Sequence, residues 1–191
     1  VVLDQLDLTT AAVTIDTAGT FIANALVDGR QDLTLAGAGA KTFNASLGVK
    51  NNEEIGDGTG ASIIINSTGG TTFESTVESQ SGWDVAANAG TVTLKGDTTI
   101  TTANTTTTFD NATTVLDGLT FTSAGAVTFG TANGAGVVLD QLDLTTAAVT
   151  IDTAGAFIAN ALVDGRQNFT LAGAGSKTFN AALGLQNNKE I

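Results

Sequence analysis

The sequence predicts an all-β chain wound into a parallel β-helix, or solenoid. Three observations lead there: a long internal repeat, a recurring strand triplet and regularly placed glycine turns. The repeat comes first, because periodicity on this scale governs the whole architecture. Residues 1–55 open with VVLDQLDLTTAAVTIDTAG, and residues 137–191 open with the same nineteen letters, an offset of 136. Across the 55 paired positions eight differ. Leu33 is matched by Phe169 and Val49 by Leu185, so apolar stays apolar; Asp32 is matched by Asn168, Lys50 by Gln186 and Glu53 by Lys189, so polar stays polar while charge drifts. Such drift is expected of a packed interior with a tolerant exterior. The units are then 1–136, one full repeat, and 137–191, the start of the next. The second copy is still running at Ile191 and the chain holds no Met, so a longer parent array is expected.

Taken in chain order, the segments read as short strands. VVLDQLDL at 1–8 is apolar and opens the repeat. An apolar–Thr–apolar triplet follows as VTI at 13–15, LTL at 33–35, VTL at 92–94, LTF at 119–121, VTF at 127–129, VTI at 149–151 and FTL at 169–171. Alternation with period two sends the flanking residues to one face and Thr to the other, and β-branched residues suit a pleated surface. Val13, Ile15, Leu33, Leu35, Val92, Leu94, Phe121, Val127, Phe129, Val149 and Ile151 are therefore expected inside, each contributing about 1.5–3 kcal/mol by burial. Thr14, Thr34, Thr93, Thr128 and Thr150 are expected outside. FIANALV at 21–27 is too short and uncapped for a helix and reads as strand. Thr42-Phe43-Asn44, Thr72-Phe73-Glu74, Thr108-Phe109-Asp110 and Thr178-Phe179-Asn180 form a second signature. Turns are marked by AGAG at 36–39, GDGTG at 56–60, STGG at 67–70, NAG at 88–90 and NGAG at 133–136.

The spacing of these signatures selects the solenoid. Val13 to Leu33 is 20 residues and Val127 to Val149 is 22, a circuit of roughly three short strands. A 136-residue unit then holds about six rungs and, with strands about 4.8 Å apart, rises about 29 Å. The competing architecture is a tandem of β-sandwich domains with boundaries in the glycine turns.

These residues carry a resemblance. TLAGAGAKTFNASLG, TVTLKGDTTITT and LTFTSAGAVTFG are similar to the Thr/Gly/Ala-rich repeats of large bacterial surface proteins of the filamentous-haemagglutinin-like and autotransporter-passenger adhesin type. The resemblance is one of style and period over nearly the whole chain, without a diagnostic motif. It implies a right-handed parallel β-helix, export from a Gram-negative-type bacterium to the cell surface or beyond, and a role as stalk, adhesin or matrix fibre. It carries over no catalytic residue.

Composition narrows the function classes. Nineteen acids against seven bases give a net charge of −12, and Arg30, Lys41, Lys50, Lys95, Arg166, Lys177 and Lys189 are scattered. Nucleic-acid binding needs clustered Lys and Arg to displace counterions, so no such partner is expected. No apolar run is long enough to span a bilayer as a helix. With 42% hydrophobic residues distributed throughout, the acidity does not signal disorder. The chain has no Cys and no His, which removes disulfides, Ser–His and Cys–His nucleophile pairs and soft metal sites.

Carboxylates remain. Asp4, Asp7 and Asp16, with Asp28 and Asp32, are dense enough to be candidates for Ca²⁺ or for carboxylate catalysis. Their counterparts Asp140, Asp143, Asp152, Asp164 and Asn168 repeat the set, which is more like a solvated face than a unique active site. No catalytic residue and no cofactor is therefore assigned, with Ca²⁺ kept as a minor possibility. GDGTG at 56–60 reads as a turn and not as a calcium-binding nonapeptide. Trp83, the sole Trp, is the one ligand candidate, for a sugar ring of a host-cell or matrix glycan. Its place beside Val85 favours a packed ring instead. Thr positions stacked on successive rungs would also form the kind of ladder that meets ice, although a regular TxT on every rung is missing. The partner expected above all is the solenoid itself, by continuation or end-to-end stacking. The reading is a non-enzymatic segment of a surface fibre, with a carbohydrate-binding or polysaccharide-degrading β-helix and an ice-binding solenoid as alternatives.

Overall fold

The structure, a computed structural model, describes residues 1–49, 53–102, 105–111, 113–116, 119–129, 141–144, 149–153, 157–159, 163–165, 169–174, 176–180 and 182–183. These residues contain strands and no helix. The strands wind in successive coils. Coil one holds β1 (Val2–Leu3), β2 (Leu6–Asp7) and β3 (Val13–Asp16); coil two holds β4 (Phe21–Ala23), β5 (Val27–Asp28) and β6 (Leu33–Ala36). Coil three holds β7 (Lys41–Phe43) and β8 (Ile63–Ile65), with Leu47 standing between them as a lone bridge residue. Coil four is β9 (Thr71–Phe73), β10 (Val77–Ser79) and β11 (Trp83–Val85); coil five is β12 (Val92–Leu94), β13 (Thr98–Ile100) and β14 (Thr106–Phe109). Coil six is β15 (Thr113–Leu116), β16 (Thr120–Ser123) and β17 (Ala126–Phe129). Coil seven is β18 (Gln141–Leu144), β19 (Val149–Thr153) and β20 (Phe157–Ala159), and coil eight is β21 (Val163–Gly165), β22 (Phe169–Ala172) and β23 (Lys177–Phe179).

Stacking the coils makes three faces. The first face is an eight-stranded sheet, β1-β4-β7-β9-β12-β15-β18-β21, and the third is another, β3-β6-β8-β11-β14-β17-β20-β23. On the second face β2-β5 continues through Leu47, which bridges Val27 and Val77, into β10-β13-β16-β19-β22. Each strand pair is parallel, for example Val13↔Leu33 and Lys41↔Thr71. The chain is thus a parallel β-solenoid, and the sandwich alternative, which needs antiparallel sheets, does not hold. Six coils lie between Val2 and Phe129, the number expected of one long repeat.

Period-two alternation does what it promised. Leu33, Leu35, Val92, Leu94, Phe121 and Val127 are fully buried and Ile15 nearly so, while Thr14 is exposed and Thr34 and Thr93 are half-buried on the outside. Val13, on coil one, is only half-buried. The side chains of Phe129, Thr128, Val149, Thr150 and Ile151 lie outside the described residues. Val49 is 36% exposed, so its exchange for Leu in the second copy is not a core substitution. FIANALV is a strand, a bend and a second strand: Phe21–Ala23 on the first face and Val27–Asp28 on the second.

Six aromatic rings run up the axis. Phe21, Phe43, Phe73, Trp83, Phe109 and Phe121 follow one another at centroid distances of 5.7, 5.1, 5.4, 6.0 and 6.2 Å, all 2% exposed or less. Offset and tilted pairs at this spacing add about 0.5–1.5 kcal/mol each beyond burial. The glycine turns AGAG, STGG and NAG sit where the third face bends into the first, GDGTG lies between the second and third faces, and NGAG lies outside the described residues. At Gly39 the bends stack so closely that a Cβ would fall on the Gly19 carbonyl oxygen.

One sequence expectation fails. Val149 does not stack on Val127. Val127 pairs with Phe157 on the third face, whereas Val149 pairs with Phe169 on the second. The circuit from Val127 to its partner is 30 residues long, as is the circuit from Leu33 to Ile63 around the loop 48–62.

Candidate functional site

The charged residues picked from the sequence do not converge. Asp4, Asp7 and Asp16 all lie on coil one and all are exposed, but on different parts of its perimeter. Asp4 occupies the bend between β1 and β2, Asp7 belongs to the second face and Asp16 ends β3 on the third. A Ca²⁺ site wants six to eight oxygens around one point, and strands on separate faces cannot supply them. Among the described residues no group of three or more Asp and Glu is placed to hold a metal. Asp28 stacks in register on Asp7 and is nearly buried. Asp32 meets Asp57 in the loop of coil three. Burial raises the Asp32 carboxyl above the usual carboxylate range, Asp57 raises it further, and a backbone hydrogen bond from Asp57 offsets part of this. Asp57 is held low by the hydroxyl and backbone N–H of Thr59, the latter at 2.8 Å. GDGTG is therefore a turn closed by its own Asp, as its composition indicated.

Trp83 is a core residue. It is 1% exposed, its ring lies between Phe73 and Phe109, and its indole N–H donates to Ser79 Oγ at 2.9 Å. No face of the ring is left for a sugar. The outer surface at this coil nevertheless has a feature. An open depression of about 520 Å³ lies on the third face, lined by Gly60, Ala61, Trp83, Asp84, Thr105, Thr106, Thr108 and Asp110. The ladder register explains it: Asp84 stands beside Thr108, and Asp110 follows Phe109 at the end of β14. Burial raises the Asp110 carboxyl, and the neighbouring Asp84 raises it further. Two carboxylates and three Thr hydroxyls make an oxygen-rich surface suited to hydroxyl donors or hydrated cations.

Sequence reasoning missed a polar cluster inside the solenoid. Lys41 is fully buried. Its ammonium donates to the Gly39 carbonyl at 2.7 Å, to Ser67 Oγ at 3.0 Å and to the Thr17 carbonyl at 3.4 Å. Ser67, also fully buried, donates onward to carbonyls of the same bend, Gly37 at 3.1 Å among them. Burial lowers the Lys41 pKa, and Asp16 partly restores it. The signal was present in Lys41-Thr42-Phe43: Phe43 points inward, so alternation puts Lys41 inward too. The Lys serves as an internal tie across three stacked bends.

Comparison with protein families, with curated proteins and with solved structures finds no match for this chain.

Proposed function

We propose that the chain is a non-catalytic structural segment of an extracellular or cell-surface fibre, of the stalk, adhesin or matrix kind, made by a Gram-negative-type bacterium. The observation that carries the reading is one stretch of sequence in two settings. Residues 5–8 include β2, which lies on coil one and pairs on one side, with β5. Their copy Gln141–Leu144 lies in the middle, paired with Thr113–Leu116. The copy is paired on both sides, with β15 before it and β21 after it, so the repeat's opening segment accepts a coil on either side; this supports an array with the solenoid itself as partner. Host-cell or matrix glycans are a secondary partner class, to be sought at the Asp84–Asp110 depression; nucleic acid and membrane insertion form no part of the reading. Electron microscopy of native material tests it. Thin fibres with an axial spacing near 4.8 Å support the reading, and a compact monodisperse particle with capped ends overturns it.

A second reading has one specific observation in its favour. Thr42, Thr72 and Thr93 occupy consecutive register positions on the outer side of the first face, flanked by Ile22 and Val115. Such a column of hydroxyls and methyls is the element of an ice-binding surface. Thermal hysteresis that disappears in Thr72→Lys supports that role; its absence from the intact chain dismisses it.

A further inference from the structure

We propose that the 136-residue repeat turns by one face of the solenoid with each copy, so that its surface features wind around the axis as a slow screw. The two copies are nearly identical in sequence, yet they do not occupy the same faces. VTID at 13–16 is on the third face, whereas its copy within β19 is on the second. FIA at 21–23 is on the first face and its copy, β20, on the third. β5 is on the second face and its copy, β21, on the first. Every step is to the preceding face.

From Leu6 onward the pairings within the first copy recur in the second; the β1–β4 pairing does not, since Ile158 and Ala159 pair with Thr128 and Phe129 of the preceding coil. Leu6↔Val27 recurs as Leu142↔Val163, Val13↔Leu33 as Val149↔Phe169, and Phe21↔Lys41 as Phe157↔Lys177. From Gln141 onward the copy has therefore rotated as a block, with no slip of register. A slip of one residue would exchange inside for outside; a rotation by a whole face does not. The faces are interchangeable because each is a short parallel ladder with alternate residues inward. At the junction the rotated copy still stacks apolar on apolar, Phe121 on Ile151 and Val127 on Phe157.

The geometry follows. From β3 on the third face of coil one to β19 on the second face of coil seven is six coils less one face, or seventeen faces. Seventeen is not a multiple of three, so one repeat never returns a residue to the side it started from. Three copies do: they make seventeen coils, a rise of about 82 Å at about 4.8 Å per coil. In an array of further copies, the depression at Asp84 and Asp110 would face three directions in turn. This consequence rests on the fibre reading. A fibre of this kind meets a partner from every side, whereas a flat ice-binding stripe would be interrupted at each copy.

Spin-label pairs on the 191-residue chain test the rotation, and the chain has no native Cys to interfere. In the rotated register Thr120 pairs with Thr150, and Thr128 pairs with Ile158. Without rotation Thr150 would lie beside Thr128. Labels at T120C/T150C should show strong dipolar broadening at the distance of adjacent strands, and T128C/T150C should show none. The pair T122C/D152C gives an independent reading of the same ladder, and T14C/T34C is the control for an ordinary ladder. Broadening of T128C/T150C instead, or broadening of none of the three junction pairs while the control broadens, overturns the proposal. The measurement concerns geometry in solution and holds or fails independently of any fibre role.

Discussion

Removal of the Phe73 ring is the sharpest perturbation of the axial column. Phe73 is 1% exposed, stacks on Phe43 at 5.1 Å with an interplanar angle of 11°, and meets Trp83 at 5.4 Å. Phe→Ala in a core costs about 3–5 kcal/mol, the larger values arising where the surroundings cannot collapse. Collapse is restricted here, because Phe73 is pinned by ladders on both sides, to Phe43 below and Leu94 above. Two aromatic pairs are also lost, at about 0.5–1.5 kcal/mol each, which places Phe73→Ala near the top of the range. Thr72→Ala, one residue away and pointing outward, should cost within about 0.5 kcal/mol. Urea unfolding followed by circular dichroism measures both. Fluorescence of Trp83, the sole Trp, reports the same event from inside the column. A loss under about 1.5 kcal/mol for Phe73→Ala, or a loss for Thr72→Ala of equal size, would refute the inside–outside assignment on which the fold argument rests.

Gly39→Ala must displace the Gly19 carbonyl and should lower stability by about 1–3 kcal/mol, whereas Gly19→Ala meets nothing within 4 Å and should be nearly neutral; thermal melts of the two compare them. Asp32→Asn, the exchange already present at Asn168, should stabilise the chain at pH 7 by about 0.2–1 kcal/mol. Because the folded Asp32 carboxyl is raised, the native state holds its proton longer than the unfolded chain. The wild type therefore loses stability as pH rises from the ordinary carboxylate value through the raised one, and the advantage of Asn should vanish below that window. For Lys41 the sign is opposite. Its folded pKa is lowered, so the unfolded chain binds more protons, and stability relative to Lys41→Met should grow as pH rises from the lowered value towards 10.5; melts across that range read it. Chelator should leave the melting temperature unchanged, since Asp4, Asp7 and Asp16 do not meet; a drop would reveal a calcium site the carboxylates were denied here.

Legibility varied with the range of the interaction. The triplets VTI, LTL and VTL declared strand, inside and outside without help, because alternation is a property of neighbouring residues and the β-branched side chains reinforce it. The glycine turns were equally plain, and close stacking of bends explains the glycines at 39, 69 and 90, whereas the three residues between β14 and β15, Asp110-Asn111-Ala112, include no glycine. The carboxylates were not legible. Their density in the first 32 residues suggested one site, yet those residues pass over three faces. Asp32 instead meets Asp57 from the long loop of coil three, and Asp84 meets Asp110 one coil later.

The sequence by itself determined the class of fold, the identity of the core side chains and the repeat that makes a stack possible. It even encoded the burial of Lys41, through its phase with Phe43. The tertiary structure alone decided which face each segment occupies. Coil lengths of 20 and 30 residues both close the same three-sided circuit, so counting residues does not locate a segment around the axis. Face is chosen by the ladder a strand joins, a contact between segments 20 to 30 residues apart. For that reason two nearly identical stretches keep the same pairings from Leu6 and Leu142 onward, and still point in different directions.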